Sequence, residues 1–527
     1  MTAAHGVERE MDGLRGVALV TAIFPSRSAA RMHWLACALA VAAGCLLFAP
    51  WAWTHPLVLW DESRLAVNAI EMSQSGLSLV TTYGFQPDLW NTKPPLMIWL
   101  MVFSLKLFGP AEWALRLPAL LAATGTLAVV TLVTYRITRS AVAGAFACVL
   151  LAASPSFFGR HAAVTADYDA LLCLFTTAYA YVFFQELHRT RPRPSRVLAG
   201  AALATAAVLT KGIAGLIPAA GIAVYLTAVR RWNRLHERPV YVTAVVCALA
   251  AVCVFYVWRE YLAPGYLVAV SHNELGGRYM STIEGHAGPP SYYLYLLTDG
   301  AFSLGTFGLL SPLGLAVARG RVRAGLAFSS CITCSILIVI SLAATKLPWY
   351  VVPMLPFMSI STAVAGAAIV RALTLWMPRY EDGLRQAATV ACAIISASLL
   401  TQAVIVQCND MDDGDNQARY GKLLAELARR GIRDVLIFNS GFNEANYAPQ
   451  LRYYSQVAAL NGLRVQIATS LDHRGSLPAI GAVASCEPTF FPAIKKIGGR
   501  RIDVDRCAAV LVGQDGAVSR GLAGGDS

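Results

Sequence analysis

The chain has 527 residues, of which 56% are hydrophobic and only 14% are charged, and its mean hydropathy is +0.53. Soluble domains carry about 25% charged residues, so this composition excludes an ordinary soluble protein and indicates one built mainly of membrane helices. The net charge of +12 does not indicate a nucleic-acid-binding protein, because the basic residues lie in short loops between apolar runs, where they orient a polytopic membrane protein.

The apolar runs predict about eleven membrane spans, each long enough to cross a bilayer core of roughly 30 Å. These spans lie near residues 33–53, 112–135, 140–157, 169–187, 197–210, 212–229, 239–259, 291–318, 322–344, 348–372 and 384–407. The run 95–108 is shorter and contains Lys106, which suggests an amphipathic helix in the membrane interface. The sequence therefore predicts a polytopic α-helical membrane protein with about 11–13 transmembrane helices and juxtamembrane helices.

The basic loops predict the orientation of these spans. Strongly basic loops, such as 188–196, 230–238 and 319–323, all fall on one side of the predicted membrane. Because lysine and arginine concentrate in cytoplasmic loops, this side is expected to be the cytoplasm, together with the segment 1–32. The loops 54–111 and 260–290 and the whole C-terminal region are then expected outside.

Residues 408–527 predict a separate small α/β domain on that outer side. The segment 416–431 has helical spacing, and 433–439, 463–468 and 508–513 are typical of buried strands. The Gly-rich end of the chain is expected to be disordered. Cys486 and Cys507 fall in this region and could pair as a disulfide if it is exported.

The membrane orientation was predicted from lysine and arginine alone, yet several acidic residues fall on the predicted outer side. This indicates a functional site at the outer membrane surface. Asp61 and Glu62 follow the first span, and Asp167 and Asp169 open the fourth. Two interpretations of Asp61 stay open, a helix N-cap and a catalytic carboxylate. Asp167 and Asp169 form a D-x-D motif. One of these two acids is expected to complement the positive N-terminus of the helix, while a role in the site stays open for the other.

Basic side chains accompany these acids. Lys93 precedes two prolines that hold the backbone extended, and a rigid lysine of this kind suits a phosphate ligand. Lys211 and Lys346 begin spans, where snorkelling is the simpler interpretation. The polar loop 271–286 carries His272, Glu274 and Arg278; a loop closing over a charged ligand is favoured over a metal cluster, because the His/Glu spacing is not diagnostic of metal. Carboxylates with Lys and Arg suit an acid/base or electrostatic step on a phosphate-bearing lipid.

Several motifs, taken in order, resemble one family. They are WDESRLAVNAIEM (60–72), KPPL (93–96), FGPAEWALRLP (108–118), TKG (210–212), the HNELGGRY loop (272–279) and KLPWYVVPMLP (346–356). Together they resemble the bacterial lipid A 4-amino-4-deoxy-L-arabinose transferases, relatives of the protein O-mannosyltransferases with the GT-C architecture. The resemblance covers most of the chain up to about residue 407.

The resemblance implies an enzyme of the multi-pass bacterial inner membrane that uses an undecaprenyl-phosphate-linked sugar at the periplasmic face and inverts the anomeric centre. It implies Asp61 as the catalytic carboxylate, supported by Glu62 and Arg64, and Asp167 or Asp169 as the residue that positions sugar or acceptor. The polyprenyl phosphate and the remaining substrate contacts would fall to Lys93, Lys211, His272, Glu274, Arg278, Lys346 and Tyr350. No metal ligand is assigned and no cofactor is expected with certainty, although a divalent metal stays open.

Two positions depart from the family pattern. Thr92 stands where many members have an acid directly before the lysine, and Leu65 stands in place of an aromatic residue. Both bear on the acceptor side, so aminoarabinose and lipid A are one expectation, and another sugar, another envelope acceptor or a protein acceptor are alternatives. A transporter of lipid-linked sugars is a further alternative. It is disfavoured because transporters place ionisable groups near the bilayer midplane, whereas the acids of this chain are predicted to cluster at one membrane face.

Overall fold

A computed structural model describes residues 38, 42–236, 238–282, 285–299, 304–409, 418–441, 448–471 and 481–512. The predicted cytoplasmic segment 1–32 and the predicted disordered tail after residue 512 lie outside the described residues. The chain divides into two compact units. The first contains the chain up to 52, 88–97 and 116–409, and the second contains 53–87, 98–115 and the chain from 410 onward.

The described residues before 410 are mostly helical. Their helical segments are Gly44–Phe48, Ala49–Thr54, Asp61–Ser75, Leu96–Phe108, Glu112–Thr138, Ala141–Ala152, Pro155–Phe158, Tyr168–Leu187, Pro194–Lys211, Gly212–Leu216, Ile217–Ala228, Asn233–His236, Pro239–Leu262, Tyr266–Val270, Ser271–Gly277, Arg278–Met280, Tyr292–Thr298, Leu304–Gly308, Leu310–Val317, Gly320–Leu342, Pro348–Met354, Leu355–Trp376, Pro378–Tyr380 and Glu381–Asn409. This confirms the predicted polytopic α-helical fold class.

Within the described residues, seven helical stretches are long and apolar enough to cross a membrane, against about eleven predicted spans. The difference arises mainly where predicted spans are shorter or broken in the structure. The predicted span 291–318 consists of the short helices Tyr292–Thr298, Leu304–Gly308 and Leu310–Val317. The run 95–108, which was not counted as a span, forms the apolar helix Leu96–Phe108.

A sharp turn between two predicted spans brings Lys211 to a helix end. Helix Pro194–Lys211 is followed by the 3-10 turn Gly212–Leu216, in which Gly212 has φ +57°. A Cβ atom on Gly215 would lie 2.5 Å from the carbonyl carbon of Ala207. Residues eight positions apart in a straight helix are about 12 Å apart, so the chain folds back here. Only glycine permits that approach, and Lys211 is thereby placed at the turn.

The second unit ends in a mixed five-stranded sheet, which confirms the predicted small C-terminal α/β region. The chain's strands are β1 Thr82–Tyr83, β2 Gln86–Pro87, β3 Asp434–Phe438, β4 Arg464–Ala468, β5 Ala482–Ser485, β6 Arg500–Val504 and β7 Cys507–Leu511. The sheet order is β4-β3-β5-β7-β6, in which β3 pairs in parallel with β4 and β5, and β7 pairs antiparallel with β5 and β6. β3, β4 and β7 match the predicted strands. β5 and β6 were not predicted, because one has four residues and the other begins with two arginines.

Helices flank this sheet and one of them supports the segment that contains Asp61. The helices are Arg419–Arg429, Pro449–Leu460 and Phe491–Lys496. The phenol of Tyr454 accepts a hydrogen bond of 3.2 Å from the Leu57 amide, and the Gln456 amide donates to Glu71 at 2.8 Å. Both contacts join helix Pro449–Leu460 to residues 57–71. The C-terminal region therefore fixes helix Asp61–Ser75 from one side.

The expected disulfide forms between Cys486, which follows β5, and Cys507, which begins β7. The two cysteines are separated by 21 residues, so the bond closes a loop whose cross-linking stabilises a fold by about 3 kcal/mol. We expect Cys486→Ser/Cys507→Ser to lower the melting temperature of the purified protein. Reductant should lower the melting temperature of the wild type to the same value and leave that of the variant unchanged. Equal melting temperatures for oxidised wild type and variant would contradict this prediction.

Candidate active site

Asp61 is the first residue of helix Asp61–Ser75, and its side chain is half-buried. The N-cap of this helix is the preceding residue, Trp60, whose φ is +76° and whose side chain makes no capping hydrogen bond. The interpretation of Asp61 as the N-cap is therefore wrong by one residue. A bulky residue at positive φ costs about 1–3 kcal/mol, and such strain is concentrated at functional sites. The strained turn at Trp60 supports a function for the carboxylate that follows it.

Glu62 differs sharply from its neighbour. Its side chain is only 2% exposed, and its Oε2 atom accepts a 2.7 Å hydrogen bond from the backbone amide of Val58. This contact ties the approaching chain to the first turn of the helix. Glu62 therefore holds the start of the helix that begins with Asp61.

Arg64 lies over the ring of Tyr83, with its guanidinium carbon 4.1 Å from the ring centroid. Arg452 of the C-terminal region lies over the same ring at 4.8 Å. Tyr83 lies in the hairpin formed by β1 and β2. The buried carboxylate of Glu71 holds this hairpin, because it accepts hydrogen bonds of 2.7–2.9 Å from the Thr82 hydroxyl and from the amides of Gly84 and Phe85. Sequence reasoning found Arg64 but missed Tyr83, Arg452 and Glu71.

Asp167 is the N-cap of helix Tyr168–Leu187 and accepts a 2.6 Å hydrogen bond from the Tyr168 amide. Its other oxygen lies 2.7 Å from Nδ1 of His161. Burial would raise the pKa of Asp167, but the hydrogen bond and attraction of His161, together with Lys211 and the Tyr168 amide, hold it below its ordinary value. The capping interpretation of the D-x-D motif therefore applies to Asp167.

His161 was not predicted and is fixed from two directions. Its ring stacks on Trp349 with centroids 3.8 Å apart, and Nδ1 faces Asp167. Its backbone adopts φ +70°, a left-handed conformation that non-glycine residues rarely adopt. A strained, stacked histidine beside a carboxylate is suited to orienting that carboxylate or exchanging a proton with it.

Asp169 and Lys211 form a buried ion pair. Lys211 Nζ donates to both carboxylate oxygens at 2.6 and 2.7 Å, and Asp169 is 1% exposed. The predicted roles were separate, with Lys211 on the phosphate and Asp169 on the sugar or acceptor. The structure pairs the two side chains with each other, so each neutralises the other where neither is well hydrated.

Hydrogen bonds connect the D-x-D motif to the segment containing Lys93. The Tyr168 hydroxyl donates to the Asn91 side-chain oxygen at 3.0 Å, and the Tyr266 hydroxyl donates to the Thr92 carbonyl at 2.8 Å. The N-T-K-P-P segment is therefore anchored on both sides of Thr92, immediately before the lysine. Neither tyrosine nor Asn91 was predicted.

Two of the predicted site residues, Lys93 and Glu274, form an ion pair. The Lys93 Nζ atom lies 3.1 Å from Glu274 Oε1, and the Thr92 hydroxyl donates to the same oxygen at 2.8 Å. Arg278 lies one helical turn further along the chain and donates to the Tyr350 hydroxyl at 3.3 Å. Burial would raise the pKa of Glu274, but Lys93, the Thr92 hydroxyl and Arg278 lower it. The result is a polar site with two cations, one ionised carboxylate and a phenol.

Lys346 and His272 are placed differently from this group. The Lys346 ammonium is buried and donates to the backbone carbonyls of Ile340, Ser341 and Ala343. It therefore caps the C-terminal end of helix Gly320–Leu342, where a cation is favourable, and this replaces the predicted phosphate contact. His272 is exposed on the π-helical turn Ser271–Gly277.

Comparison with known proteins places this geometry in a family context. Residues 92–258 match the family described as dolichyl-phosphate-mannose-protein mannosyltransferase. An uncharacterized protein of Aquifex aeolicus (strain VF5) is 26% identical over 304 residues, and the match spans 58% of each chain.

Two solved structures share the fold. ArnT from Cupriavidus metallidurans bound to undecaprenyl phosphate superposes with a TM-score of 0.66 at 19% identity, covering 90% of this chain and 97% of that one. The apo form of ArnT gives 0.65 at 18% identity, covering 91% and 98%. The chain therefore has the ArnT fold, which confirms the fold that the resemblance implied, and its residues 92–258 match the mannosyltransferase family.

Proposed function

We propose that this protein is a membrane glycosyltransferase that takes a sugar from a polyprenyl phosphate carrier and transfers it to a cell-envelope acceptor. The observation that carries the proposal is the Lys93–Glu274 ion pair, whose carboxylate is also stabilised by the charge of Arg278, in a chain with the ArnT fold. Lysine and arginine donors are the usual ligands of phosphate. Because the ArnT structure contains undecaprenyl phosphate, a lipid-linked phosphate is the natural ligand for these cations.

Asp61 is the proposed general base of this reaction. The carboxylate takes the proton of the acceptor nucleophile, which attacks the anomeric carbon on the face opposite the phosphate and so inverts that centre. Lys93 and Arg278 stabilise the phosphate as it leaves, because donors aimed at developing charge lower the barrier most.

We further propose that the site and the C-terminal region face the periplasm of a bacterial inner membrane. Two independent features support this orientation. The strongly basic loops 188–196, 230–238 and 319–323 would then lie in the cytoplasm, and the Cys486–Cys507 disulfide would lie in an oxidising compartment.

Among sugars and acceptors, 4-amino-4-deoxy-L-arabinose and lipid A are the first pair to test. The ArnT fold supports them, and the acceptor side offers Arg64 and Arg452 around Tyr83, two guanidinium groups suited to an anionic acceptor. Parallel assays with purified lipid A, with other envelope glycans and with envelope proteins would distinguish the acceptor classes. Transfer to protein alone would favour an O-mannosyltransferase-type enzyme.

Lys93→Met tests the phosphate site. We expect this variant to bind polyprenyl phosphate about ten- to a hundredfold more weakly, because it loses a charge-assisted hydrogen bond worth about 1.5–3 kcal/mol. The measurement is equilibrium binding of fluorescent polyprenyl phosphate to protein in detergent. Lys106→Met is the matched control, since Lys106 is exposed in the last turn of helix Leu96–Phe108. Unchanged binding by a folded Lys93→Met protein would contradict the proposed function.

A further inference from the structure

The proposed phosphate site contains a carboxylate of its own. Glu274 lies 3.1 Å from the Lys93 ammonium, and the two side chains are only 17% and 19% exposed. The Thr92 hydroxyl donates to the same carboxylate oxygen that faces Lys93. Lys93, Arg278 and Glu274 therefore carry a combined charge of +1 rather than the +2 of the cations alone.

This carboxylate stays ionised at neutral pH. Burial alone would favour the protonated form, but Lys93, Thr92 and Arg278 together lower the pKa of Glu274 below its ordinary value. The group also has a defined position, because it lies on the π-helical turn Ser271–Gly277, a type of turn that is frequent at functional sites. Its negative charge is therefore a fixed property of the site.

Lys93 retains capacity for a ligand in this arrangement. A lysine ammonium has three N–H donors, and the contact with Glu274 uses one of them. A phosphate oxygen can bind the remaining donors without displacing the carboxylate. Glu274 and the bound phosphate would then share one cation, so that any change in phosphate charge is felt by Glu274.

The proposed reaction changes that charge. The donor is a phosphodiester with a single negative charge. During transfer the bond between the anomeric carbon and the phosphate oxygen breaks, and a bond forms between that carbon and the acceptor. The bonding electrons remain on the phosphate oxygen and the acceptor proton passes to Asp61. The product is a phosphomonoester whose second pKa is about 6, so it is mostly doubly charged above that pH.

We infer that Glu274 sets the charge of the phosphate site so that it matches the singly charged donor and disfavours the doubly charged product, which promotes product release. This inference rests on the proposed function. Repulsion between two like charges about 4 Å apart weakens binding by about fivefold in bulk water and by up to several hundredfold at the effective dielectric of a protein surface. The second charge of the product meets this repulsion, while the donor has a single charge that the net +1 of the site compensates.

A purely structural role for Glu274 makes a different prediction. If the carboxylate only orients Lys93, then removing it should weaken donor and product alike. Thr92→Val is the matched control, because it removes the hydrogen bond to Glu274 and leaves the charge in place. Glu274→Asp is a second variant, which keeps the charge on a shorter side chain.

The test compares polyprenyl phosphate with its singly charged methyl diester at pH 8. Dissociation constants are measured for wild type, Lys93→Met, Glu274→Gln, Glu274→Asp and Thr92→Val. We expect Glu274→Gln to tighten binding of the monoester relative to the diester by about tenfold, and the other two variants to keep the wild-type ratio. In Glu274→Gln, steady-state turnover should fall more than the single-turnover rate, because product leaves more slowly.

Three outcomes separate the possible failures. This inference alone would be overturned if Glu274→Gln left the ratio of the monoester and diester dissociation constants unchanged while wild-type binding still depended on Lys93. A Glu274→Asp protein that behaves like Glu274→Gln would also overturn it. Wild-type protein that binds neither ligand, or binds both independently of Lys93, would instead overturn the proposed function on which the inference depends.

Discussion

Asp61→Asn should lower the turnover number for sugar transfer by about 10³-fold while leaving the affinity for polyprenyl phosphate within about twofold, because general-base catalysis contributes about 10²–10⁴ to a rate. The amide has nearly the same shape as the carboxylate but cannot accept the acceptor's proton. Asp61 is the first residue of its helix and is half-buried, so an asparagine of nearly the same size fits the same position. The measurement is the initial rate of transfer beside equilibrium binding of the lipid phosphate.

Glu62→Gln is the control for this prediction. The glutamine oxygen can still accept the hydrogen bond from the Val58 amide, and Glu62 acts by holding the helix start. We therefore expect a fall in activity much smaller than that of Asp61→Asn. If Glu62→Gln removed activity while Asp61→Asn retained it, the roles of the two adjacent acids would have to be exchanged.

Asp169→Asn or Lys211→Met should destabilise the protein by about 3–5 kcal/mol, because each leaves an uncompensated charge in a buried site. Lys211 donates to both oxygens of Asp169, and the two side chains are 14% and 2% exposed, so solvent screens the pair little. The expected signs are a lower melting temperature and a lower yield of monodisperse protein in detergent.

The double variant Asp169→Leu/Lys211→Met removes both charges together. It should recover most of the lost stability, since replacing a whole buried pair with apolar groups is often neutral or favourable. Thermal unfolding of the two single variants and the double variant measures this directly. A double variant less stable than either single variant would show that the pair stabilises the fold beyond mutual neutralisation.

The sequence predicted the helices and the residue types of the site, because both depend on local patterns. The span boundaries near Lys211, the strands β3, β4 and β7, and the Cys486–Cys507 pair all follow from hydropathy, alternation or cysteine placement. For Lys93, Glu274 and Arg278, the sequence predicted only that all three lie on the same side of the membrane. The distance between the Lys93 and Glu274 side chains depends on the fold.

Contacts between distant segments account for what the sequence missed. Thr92 and Glu274 are 182 residues apart in the chain, and His161 stacks on Trp349 from another helical segment. Helical periodicity gives no information on such pairs, because each depends on how separate helices pack. The motif also gave Lys346 a ligand role, whereas its local backbone carbonyls hold the ammonium. For the adjacent acids, only the fold distinguishes half-buried Asp61 from fully buried Glu62.

The proposed reaction uses a polyprenyl-phosphate-linked sugar as its donor. The most direct measurement supplies purified protein with a radiolabelled polyprenyl-phosphate sugar and cell-envelope acceptors, and follows both labelled acceptor and released polyprenyl phosphate. We expect equal molar amounts of the two products, with transfer lost in Asp61→Asn and Lys93→Met and retained in Lys106→Met. Equal transfer by wild type, Asp61→Asn and Lys93→Met, or no transfer by wild type from any polyprenyl-phosphate sugar, would contradict the proposed reaction.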